Sequence, residues 1–322
     1  MYAIAALALG FCLDLIVGDP HGLMHPVVLI GKLISAGETL LRRLFPKTPA
    51  GEKAAGGVLW VAVVGLTGLT TWALLRLSYW VSPWLGLALQ TVMTAQILAT
   101  KSLKDESMKV YHALGTGDLE VSRQAVSMIV GRDVSRLDEQ GVTRAAVETV
   151  AENTSDGIVA PLVYLAVGGP CLGFMYKAVN TMDSMLGYVE PPYRDFGYVS
   201  AKMDDLFNFL PSRLSAVLML LAGGVLGMDW KNGWKIFRRD RFCHASPNSA
   251  QTEAACAGLM DVRLAGDAWY HGVLHKKPYI GDDLRPIAQE DIPLSCRLLY
   301  ATAMLALAVC LAAQTGLWLI FS

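Results

Sequence analysis

The sequence predicts an all-α, polytopic integral membrane protein with broken or re-entrant helices and a cytoplasmic helical layer. Its 322 residues are 53% hydrophobic and only 17% charged, and the mean hydropathy is +0.40. Soluble domains carry about a quarter charged residues, so a soluble protein of this composition could not cover its surface. The 27 basic and 28 acidic residues almost cancel, and the absence of a basic field argues against nucleic acid as a partner.

Four apolar segments predict membrane spans, within a single membrane-embedded domain over residues 1–322. They are 1–17, 54–75, 77–100 and 298–322. The first has no basic region before it and no small-residue cleavage site after it, so we interpret it as a retained helix and not as a signal peptide. The second and third are separated only by Arg76, and each reaches the roughly 20 residues that a span requires. We expect them to form a hairpin.

Two further apolar segments, 157–176 and 214–228, contain helix-breaking residues. The first includes Gly168-Gly169-Pro170, and the second is short and contains Gly223-Gly224. Non-helical backbone inside a membrane is tolerated only where protein or a cavity covers it, which is also where transporters and membrane enzymes build sites. Basic residues cluster at 32–53, 101–144 and 231–297, and the positive-inside rule places those regions in the cytoplasm. If both broken segments dip into the membrane and return, every polar candidate faces the cytoplasm.

The polar chemistry is concentrated between Glu148 and Arg213. If helical, Glu148, Glu152 and Asp156 share one face, Asn180 shares a face with Asp183 or Ser184, and Asp204 or Asp205 shares one with Asn208. Like charges one turn apart repel, and carboxylate, amide and hydroxyl oxygens are ligands that suit magnesium. The pattern therefore favours an acid-lined metal site. A solvated acidic surface or an internal salt-bridge network is the alternative that the residues leave open.

A second polar cluster follows at residues 244–253, HASPNSAQTE. It contains His244, Ser246, Asn248 and Glu253, with Ser246-Pro247-Asn248 predicting a turn before an Ala-rich helix. The N-terminus of such a helix can bind phosphate, but the same turn can serve only as a cap, and both interpretations stay open. No GxxxxGK[ST] or GxGxxG motif is present in the sequence, and the six cysteines show no zinc or disulfide spacing.

Six motifs, in order along the chain, resemble the adenosylcobinamide-phosphate synthase family of cobalamin biosynthesis. They are GDPHGLMHPV, VGRDVSRLD, ETVAENTSDGIVAPL, YKAVNTMDSMLGY, AKMDDLFNFLPSRL and HASPNSAQTEAA. The resemblance extends from about Asp14 to Gly281. The chain departs from the family pattern at Ala250 and Ala265, where glycine is expected, and at Val134, where threonine is usual.

The resemblance implies a multi-pass ligase of the bacterial inner (cytoplasmic) membrane with its site facing the cytoplasm. Its substrates would be adenosylcobyric acid, aminopropanol phosphate and ATP as co-substrate, with magnesium as cofactor, and the lipid bilayer would be its other partner. Carboxylate and ammonium do not condense directly at neutral pH, so the acid is expected to pass through an acyl phosphate and the amine to lose a proton to a base. The oligomeric state stays open, with a homo-oligomer among the alternatives.

The resemblance also implies roles for individual residues. The expected metal ligands are Glu152, Asp156, Asp183, Asp204 and Asp205. The expected catalytic residues are Glu148, Lys177 and His244, with Glu148 or His244 as the base. The expected substrate- and phosphate-binding residues are Arg132, Asn153, Asn180, Ser184, Arg213, Ser246, Asn248 and Glu253.

Two other classes of protein also use some of these features. A magnesium-dependent membrane prenyl- or phospho-transferase carries paired acidic motifs on helices, and the sequence DDLFN at 204–208 is similar to such an element. A corrinoid transporter would explain broken helices around acidic residues, but not so much polar helical sequence outside the apolar segments. The transferase alternative has no counterpart for the cluster at 244–253.

Overall fold

The computed structural model of the chain describes residues 1–19, 25–188, 190–270 and 272–321. Residues 20–24 of the GDPHGLMHPV motif, together with Val189, His271 and Ser322, lie outside the described residues. The described chain is helical almost throughout, which confirms the predicted all-α class. Its α-helices are α1 Tyr2–Val17, α2 Pro26–Leu44, α3 Pro49–Val81, α4 Pro83–Ile97, α5 Thr100–Leu114, α6 Leu119–Ser127, α7 Glu139–Thr154, α8 Ala160–Leu186, α9 Tyr198–Phe207, α10 Phe209–Val225, α11 Trp230–Asp240, α12 Ser249–Met260 and α13 Asp291–Phe321.

Among the described residues, three helical stretches are long and apolar enough to cross a membrane. They are Pro49–Val81, Glu139–Leu186 and Asp291–Ile320. The number rises to four if α9 and α10, which are bent by 46° at the break between them, count as one span. Helix α1 is apolar but shorter. By length and composition the chain is therefore a polytopic membrane protein, as the sequence predicts.

The turn between α3 and α4 lies six residues later than predicted. Helix α3 continues through Arg76 to Val81, and the chain turns at Ser82, whose hydroxyl accepts a hydrogen bond from the Trp84 N–H at 3.3 Å. Arginine favours helix, so one arginine does not end it, whereas Ser82-Pro83 stops one helix and caps the next. The boundary predicted at Arg76 is wrong, and the predicted span 77–100 is replaced by α4, Pro83–Ile97.

The described chain forms two compact units, neither of which is continuous in sequence. The first unit contains residues 1–99, residues 161–208 and the chain from Val309 onward. Within it α1 packs against α4, where a Cβ on Gly10 would lie only 2.5 Å from the Thr94 side chain. Its hydrophobic core joins α2, α3, α8 and the segment before α9 through side chains such as Ile34, Leu59 and Phe196.

Helix α8 reverses direction at Gly168 and Gly169, so the predicted break in segment 157–176 is confirmed. Tyr164 and Tyr176 are twelve residues apart in the chain, yet their rings stack with centroids 4.9 Å apart. Twelve residues of straight α-helix would span about 18 Å. Gly169 adopts φ 60° and ψ −159°, a conformation that side chains with a Cβ avoid. The two arms of α8 therefore form a helical hairpin around this glycine.

The second unit contains residues 100–160 and 209–308 and is built around α12. Every residue from Ala250 to Met260 is buried, and α7, α10 and α11 pack against this small-residue helix. The break predicted at Gly223-Gly224 in segment 214–228 is wrong, because α10 runs unbroken from Phe209 to Val225. Gly223 instead permits close packing, since a Cβ there would lie 2.5 Å from the Leu259 side chain.

Two short antiparallel strand pairs between α12 and α13 were not predicted. Strand β1 (Leu264–Ala265) pairs with β4 (Tyr279–Ile280), and β2 (Ala268–Tyr270) pairs with β3 (Val273–His275). We call residues 264–280 the double hairpin. Its strands are only two or three residues long, too short for a period-two pattern to be visible in the sequence.

Replacing Gly169 with alanine is expected to destabilise the protein by about 1–3 kcal/mol, because a Cβ strains this backbone conformation. The nearest atom to that Cβ would be the Gln90 amide nitrogen at 3.6 Å, so the loss would not come from a steric clash. Thermal unfolding of purified protein in detergent measures the effect.

The matched control for this variant is Gly65→Ala in α3, where a Cβ meets no atom within 4 Å and helix propensity favours alanine. Equal unfolding temperatures for Gly169→Ala and Gly65→Ala would contradict the strained turn.

Candidate functional site

Six ionisable side chains form a partly buried group in the second unit, which we call the acid–base cluster. Its members are Arg132, Glu148, Glu152, His244, Glu253 and Lys277. Helix α7 supplies two of the carboxylates and α12 supplies the third, and these helices pack against each other. The remaining three residues come from the segments before α7 and α12 and from the double hairpin. Five of the six were predicted as site residues from the sequence.

Glu148 is held on both carboxylate oxygens. The residue is 3% exposed, one carboxylate oxygen accepts from the Arg132 guanidinium, and the other accepts from the Ala265 N–H at 2.6 Å. Burial lowers the pKa of Arg132, but the charge and hydrogen bond of Glu148 outweigh it and raise that pKa overall. Both carboxylate oxygens of Glu148 are therefore already occupied, one by Arg132 and the other by the Ala265 N–H. The geometry therefore favours a positioning role for Glu148 over the predicted role of base.

The loop that carries Arg132 is fixed to the double hairpin. The Asp133 N–H donates to the Trp269 carbonyl at 2.8 Å, and the Asp133 carboxylate accepts from the Gly272 N–H at 2.7 Å. The Arg136 guanidinium also lies over the Trp269 ring, 3.7 Å from its centroid. The VGRDVSRLD motif is therefore a docking loop that brings Arg132 to Glu148.

Glu253 is the buried acid that α12 contributes to the cluster. It is 6% exposed, and its Oε2 atom is buried without a hydrogen-bond partner. Burial, followed by the negative charges of Glu152 and Glu148, raises the pKa of Glu253 well above its ordinary value, although Arg132 and Lys277 oppose the shift. A carboxyl group with a raised pKa and one oxygen that has no hydrogen-bond partner can hold or exchange a proton. The sequence suggested only a substrate-binding role for it.

His244 is oriented by the backbone that follows it. The Ser246 N–H donates to His244 Nδ1 at 3.0 Å, so in the neutral ring the proton lies on Nε2. Burial is the main reason that the pKa of His244 lies below its usual range, with Lys277 adding to this effect and Glu152 opposing it. The neutral form of His244 is therefore a hydrogen-bond donor through Nε2, and the predicted role of base fits it less well.

Lys277 and Tyr270 are members of the site that the sequence did not reveal. The Lys277 ammonium donates to the Tyr270 hydroxyl at 3.1 Å. Its positive charge lowers the pKa of both His244 and Glu253. Both residues lie on the double hairpin. The only sequence signal was an unremarkable Lys-Lys-Pro in a loop, and its proximity to the acids depends on strand pairing.

The Ser246-Pro247-Asn248 turn is held by Arg213 of α10. Asn248 Oδ1 accepts from Arg213 at 3.0 Å and from the Ser212 hydroxyl at 3.2 Å, and Arg213 also donates to the Pro247 carbonyl at 3.4 Å. The Asn248 side chain therefore does not cap α12, although Asn248 occupies the N-cap position. These contacts give Arg213 and Asn248 a structural task beside their predicted role in phosphate binding.

The α-helical spacing predicted for the acidic face of α7 does not extend to Asp156. A π-helical segment, Ser155–Val159, begins directly after Thr154. Three side chains in the preceding turns donate to carbonyls four residues back, including Asn153 to Thr149 at 3.0 Å and Thr154 to Val150 at 2.7 Å. Such bonds compete with the backbone ladder and loosen it. The negative charges of Glu152 and Glu148 raise the pKa of Glu253. Half-buried Asp156 lies beyond them, in the wider π-helical turn.

The remaining predicted site residues lie in the first unit, where Asp204 is the central acid. Asp204 is 8% exposed and accepts from the Asn208 amide at 3.0 Å and the Asn180 amide at 3.4 Å. Asn208 in turn accepts from the Tyr176 hydroxyl at 2.8 Å. Of the two acids that the sequence left open, the one bonded to Asn208 is thus Asp204.

The neighbours of Asp204 in the chain occupy different environments. Asp205 pairs with Lys202 at 3.2 Å, and Ser184 is exposed. Lys177 and Asp183 lie half-buried on the second arm of α8. Among the described residues no group of three or more His, Cys, Asp or Glu side chains is arranged to hold a metal ion. The predicted magnesium ligands divide between the units, with Glu152 and Asp156 in the second and Asp183, Asp204 and Asp205 in the first.

The fold defines a polytopic α-helical membrane protein, and its second unit contains a partly buried cluster of ionisable side chains. Residues 7–299 match the family model described as CobD/Cbib protein. The chain belongs to this family, which confirms the resemblance found in its motifs. No solved structure matches the chain.

The curated relatives align over almost the whole chain. The cobalamin biosynthesis protein CobD of Clostridium perfringens is 43% identical over 95% of this chain and 96% of its own. The cobalamin biosynthesis protein CbiB of Salmonella typhimurium is 44% identical over 98% of both chains. The CobD protein of Pelobacter propionicus is 46% identical over 94% of this chain and 92% of its own.

The stability of the protein is expected to depend on pH through Glu253. Folding raises its pKa, so the folded state keeps a proton that the unfolded state releases above about pH 4.5. Stability therefore falls as pH rises from that value to the pKa of the buried group. Glutamine does not ionise, so the Glu253→Gln variant does not lose stability in this way. The difference between its unfolding temperature and that of wild type, measured in detergent, should therefore increase with pH over this window.

The exposed Glu290 provides the control, because Glu290→Gln removes a carboxylate without changing the buried cluster. A difference between Glu253→Gln and wild type that stays constant with pH would show that Glu253 ionises normally in the folded protein.

Proposed function

We propose that the chain is an ATP-dependent ligase that attaches (R)-1-amino-2-propanol O-phosphate to a propionate carboxylate of adenosylcobyric acid, giving adenosylcobinamide phosphate. The observation that carries the proposal is the nearly full-length similarity to proteins named for cobalamin biosynthesis. Family membership supports a role in that pathway. The reaction itself is supported by the chemistry of the acid–base cluster.

The proposed reaction has two steps. In the first, a propionate oxygen attacks the γ-phosphorus of ATP, forming an acyl phosphate and releasing ADP. In the second, the amine nitrogen attacks the acyl carbon, the C–N bond forms, the C–O bond to phosphate breaks, and one proton leaves the nitrogen. The first step needs cations around the phosphates, and the second needs a proton acceptor.

The acid–base cluster contains groups of both kinds. Arg132 and Lys277 provide positive charge, and the neutral His244 can donate from Nε2 to an oxygen of the substrate. Once ionised, Glu253 is a stronger base than an ordinary carboxylate because its pKa is raised, and its Oε2 atom has no hydrogen-bond partner. It therefore suits the role of proton acceptor better than Glu148, whose two oxygens are occupied. We therefore assign the base to Glu253 and the positioning of Arg132 to Glu148.

Magnesium, when bound, would neutralise phosphate charge. Among the predicted ligands, Glu152 fits this task best, because within the described part of the chain its half-buried carboxylate makes no ion pair or hydrogen bond. Both oxygens of Asp204 already accept from amide groups. Carboxylate oxygens are the ligands that magnesium prefers, and one or two of them suffice beside phosphate oxygens.

We also propose that the site faces the cytoplasm of a bacterial inner membrane, where ATP is available. The basic regions of the sequence support this orientation. A cysteine introduced at the exposed Ser127, in a background without native cysteines, should react with an impermeant thiol reagent only after the membrane is opened. Labelling in intact cells would contradict the orientation.

The reaction is tested with purified protein in detergent supplied with adenosylcobyric acid, ATP, magnesium and aminopropanol phosphate, with products identified by mass. Formation of adenosylcobinamide phosphate and ADP together is the expected result. Glu253→Gln should lower turnover by about 10²-fold or more, the typical contribution of a general base. Product from an isoprenyl diphosphate instead would favour a transferase, and corrinoid uptake into sealed vesicles without any product would favour a transporter.

Glu152→Gln is expected to raise the magnesium concentration needed for half-maximal turnover. The reason is that an amide is a weaker ligand for magnesium than a carboxylate. Asp204→Asn is the comparison, and it should alter folded yield more than the magnesium requirement. An unchanged magnesium dependence in well-folded Glu152→Gln protein would remove Glu152 from the set of ligands.

A further inference from the structure

A cavity of about 350 Å³ lies in the second unit, beside α7 and the segment between the double hairpin and α13. Its lining includes three arginines, Arg144, Arg263 and Arg285, and one acid, Asp283. We call it the arginine pocket. Its volume is within the usual range for small-molecule sites, about 300–1,000 Å³. Arginine is always protonated in proteins, so the pocket stays cationic at all physiological pH values.

The three arginines are not equally satisfied by the protein. Arg285 is fixed, with a two-pronged ion pair to Asp291 at 2.5 and 2.9 Å and a further bond from its Nε atom to the Met260 carbonyl at 3.0 Å. Arg263 pairs with Asp283 at 3.1 Å and lies over the Tyr279 ring, but its Nε atom is buried without an acceptor.

Arg144 is the least satisfied of the three. Its Nε atom is also buried without an acceptor, and within the described residues its guanidinium forms no ion pair. A buried donor without a partner costs free energy, about 1–3 kcal/mol, which an anion in the pocket would recover.

Asp283 does not fill the pocket as an internal anion. Its side chain is 56% exposed, and its carboxylate pairs with one Nη atom of Arg263. Asp291 is buried and already bound to Arg285. Three arginines (Arg144, Arg263 and Arg285) and two aspartates (Asp283 and Asp291) together leave one net positive charge. The Nε atoms of Arg144 and Arg263 are two buried donors without an acceptor. Planar guanidinium groups bind phosphate oxygens in pairs, which makes phosphate the anion that suits this arrangement.

The arginine pocket adjoins the acid–base cluster along two parts of the backbone. Arg144 precedes Glu148 by one turn of α7, about 6 Å along the helix, and both lie on the same face. Arg263 is two residues before Ala265, whose N–H binds Glu148. A ligand with its phosphate among the arginines would therefore extend towards the acids.

We infer that the arginine pocket binds the phosphate group of a phosphorylated small molecule that reaches the acid–base cluster. This inference rests on the proposed function for the identity of the ligand, since ATP and aminopropanol phosphate both carry phosphate. In this arrangement Arg144 and Arg263 bind the phosphate. Arg285, held by Asp291, lines the pocket in a fixed position. The negative charge of Asp283 repels the phosphate and limits its affinity.

The test is equilibrium binding to purified wild-type protein in detergent, without corrinoid, so that no turnover takes place. The three probes are ATP, aminopropanol phosphate and inorganic phosphate. Arg144→Gln should weaken binding about tenfold or more, because a charge-assisted hydrogen bond to phosphate is lost. Asp283→Asn should tighten binding a few-fold, because a like charge is removed and Arg263 is released. The probe whose affinity changes in opposite directions in these two variants identifies the ligand.

Lys109→Gln is the matched control, because it removes one positive charge from the second unit at an exposed position outside the pocket. Wild-type affinity in Arg144→Gln for all three probes, an equal loss in Lys109→Gln, or no binding of any probe to wild type would each overturn the inference. The turnover assay on the same preparations separates the two proposals. Phosphate binding without product refutes the ligase, whereas product at wild-type rates from Arg144→Gln refutes only the pocket.

Discussion

The buried carboxylate of Glu148, held between the Arg132 guanidinium and the Ala265 N–H, is the interaction on which the second unit's site depends. It joins α7 and the loop before it to the first strand of the double hairpin, which lies more than a hundred residues further along the chain. Removing one partner of such a buried pair leaves an uncompensated charge, which typically costs about 3–5 kcal/mol. Ala265 has φ 57°, a left-handed conformation that glycine adopts more easily, so the chain accepts local strain at the residue whose N–H meets this carboxylate.

The second feature of this site is the tight packing around α12. This helix is surrounded by protein, and its Ala and Gly residues allow α7, α10 and α11 to approach closely, as where a Cβ on Gly258 would lie 2.8 Å from the Asn232 carbonyl. Glu253 is therefore placed in a low-dielectric interior beside two other acids. Burial and like charges both oppose its ionisation, and the nearby Arg132 and Lys277 only partly offset them. Tight packing of a helix with small side chains thus buries Glu253, and burial is the main cause of its raised pKa.

The first unit uses a different device to order its polar groups. The reversal at Gly169 brings Tyr164 and Tyr176 together, and the two hydroxyls donate to the end of α9, at the Phe207 carbonyl and the Asn208 side chain. Asn208 and Asn180 then donate to Asp204. A helical hairpin within an apolar segment can exist only if its exposed backbone and polar side chains find partners in the protein, and these aromatic and amide contacts provide them. The first unit thus uses a chain reversal at a glycine, and the second a left-handed residue, Ala265, in the segments that position their polar groups.

The sequence by itself determined the fold class, the family and most of the residues of the acid–base cluster, because apolar length, glycine breaks and local motifs are properties of neighbouring residues. It also located the break at Gly168-Gly169. It placed the α3–α4 turn at Arg76 and a break at Gly223 wrongly, since a charge does not end a helix and a glycine can serve close packing as well as a turn. Tertiary structure alone decided that Lys277 and Tyr270 join the site, that Glu253 is the acid with an unpartnered oxygen, and that Arg144 and Arg263 line one cavity. Those facts depend on contacts between segments more than a hundred residues apart, and the physical quantities involved, burial and the sum of nearby charges, exist only once the chain has folded.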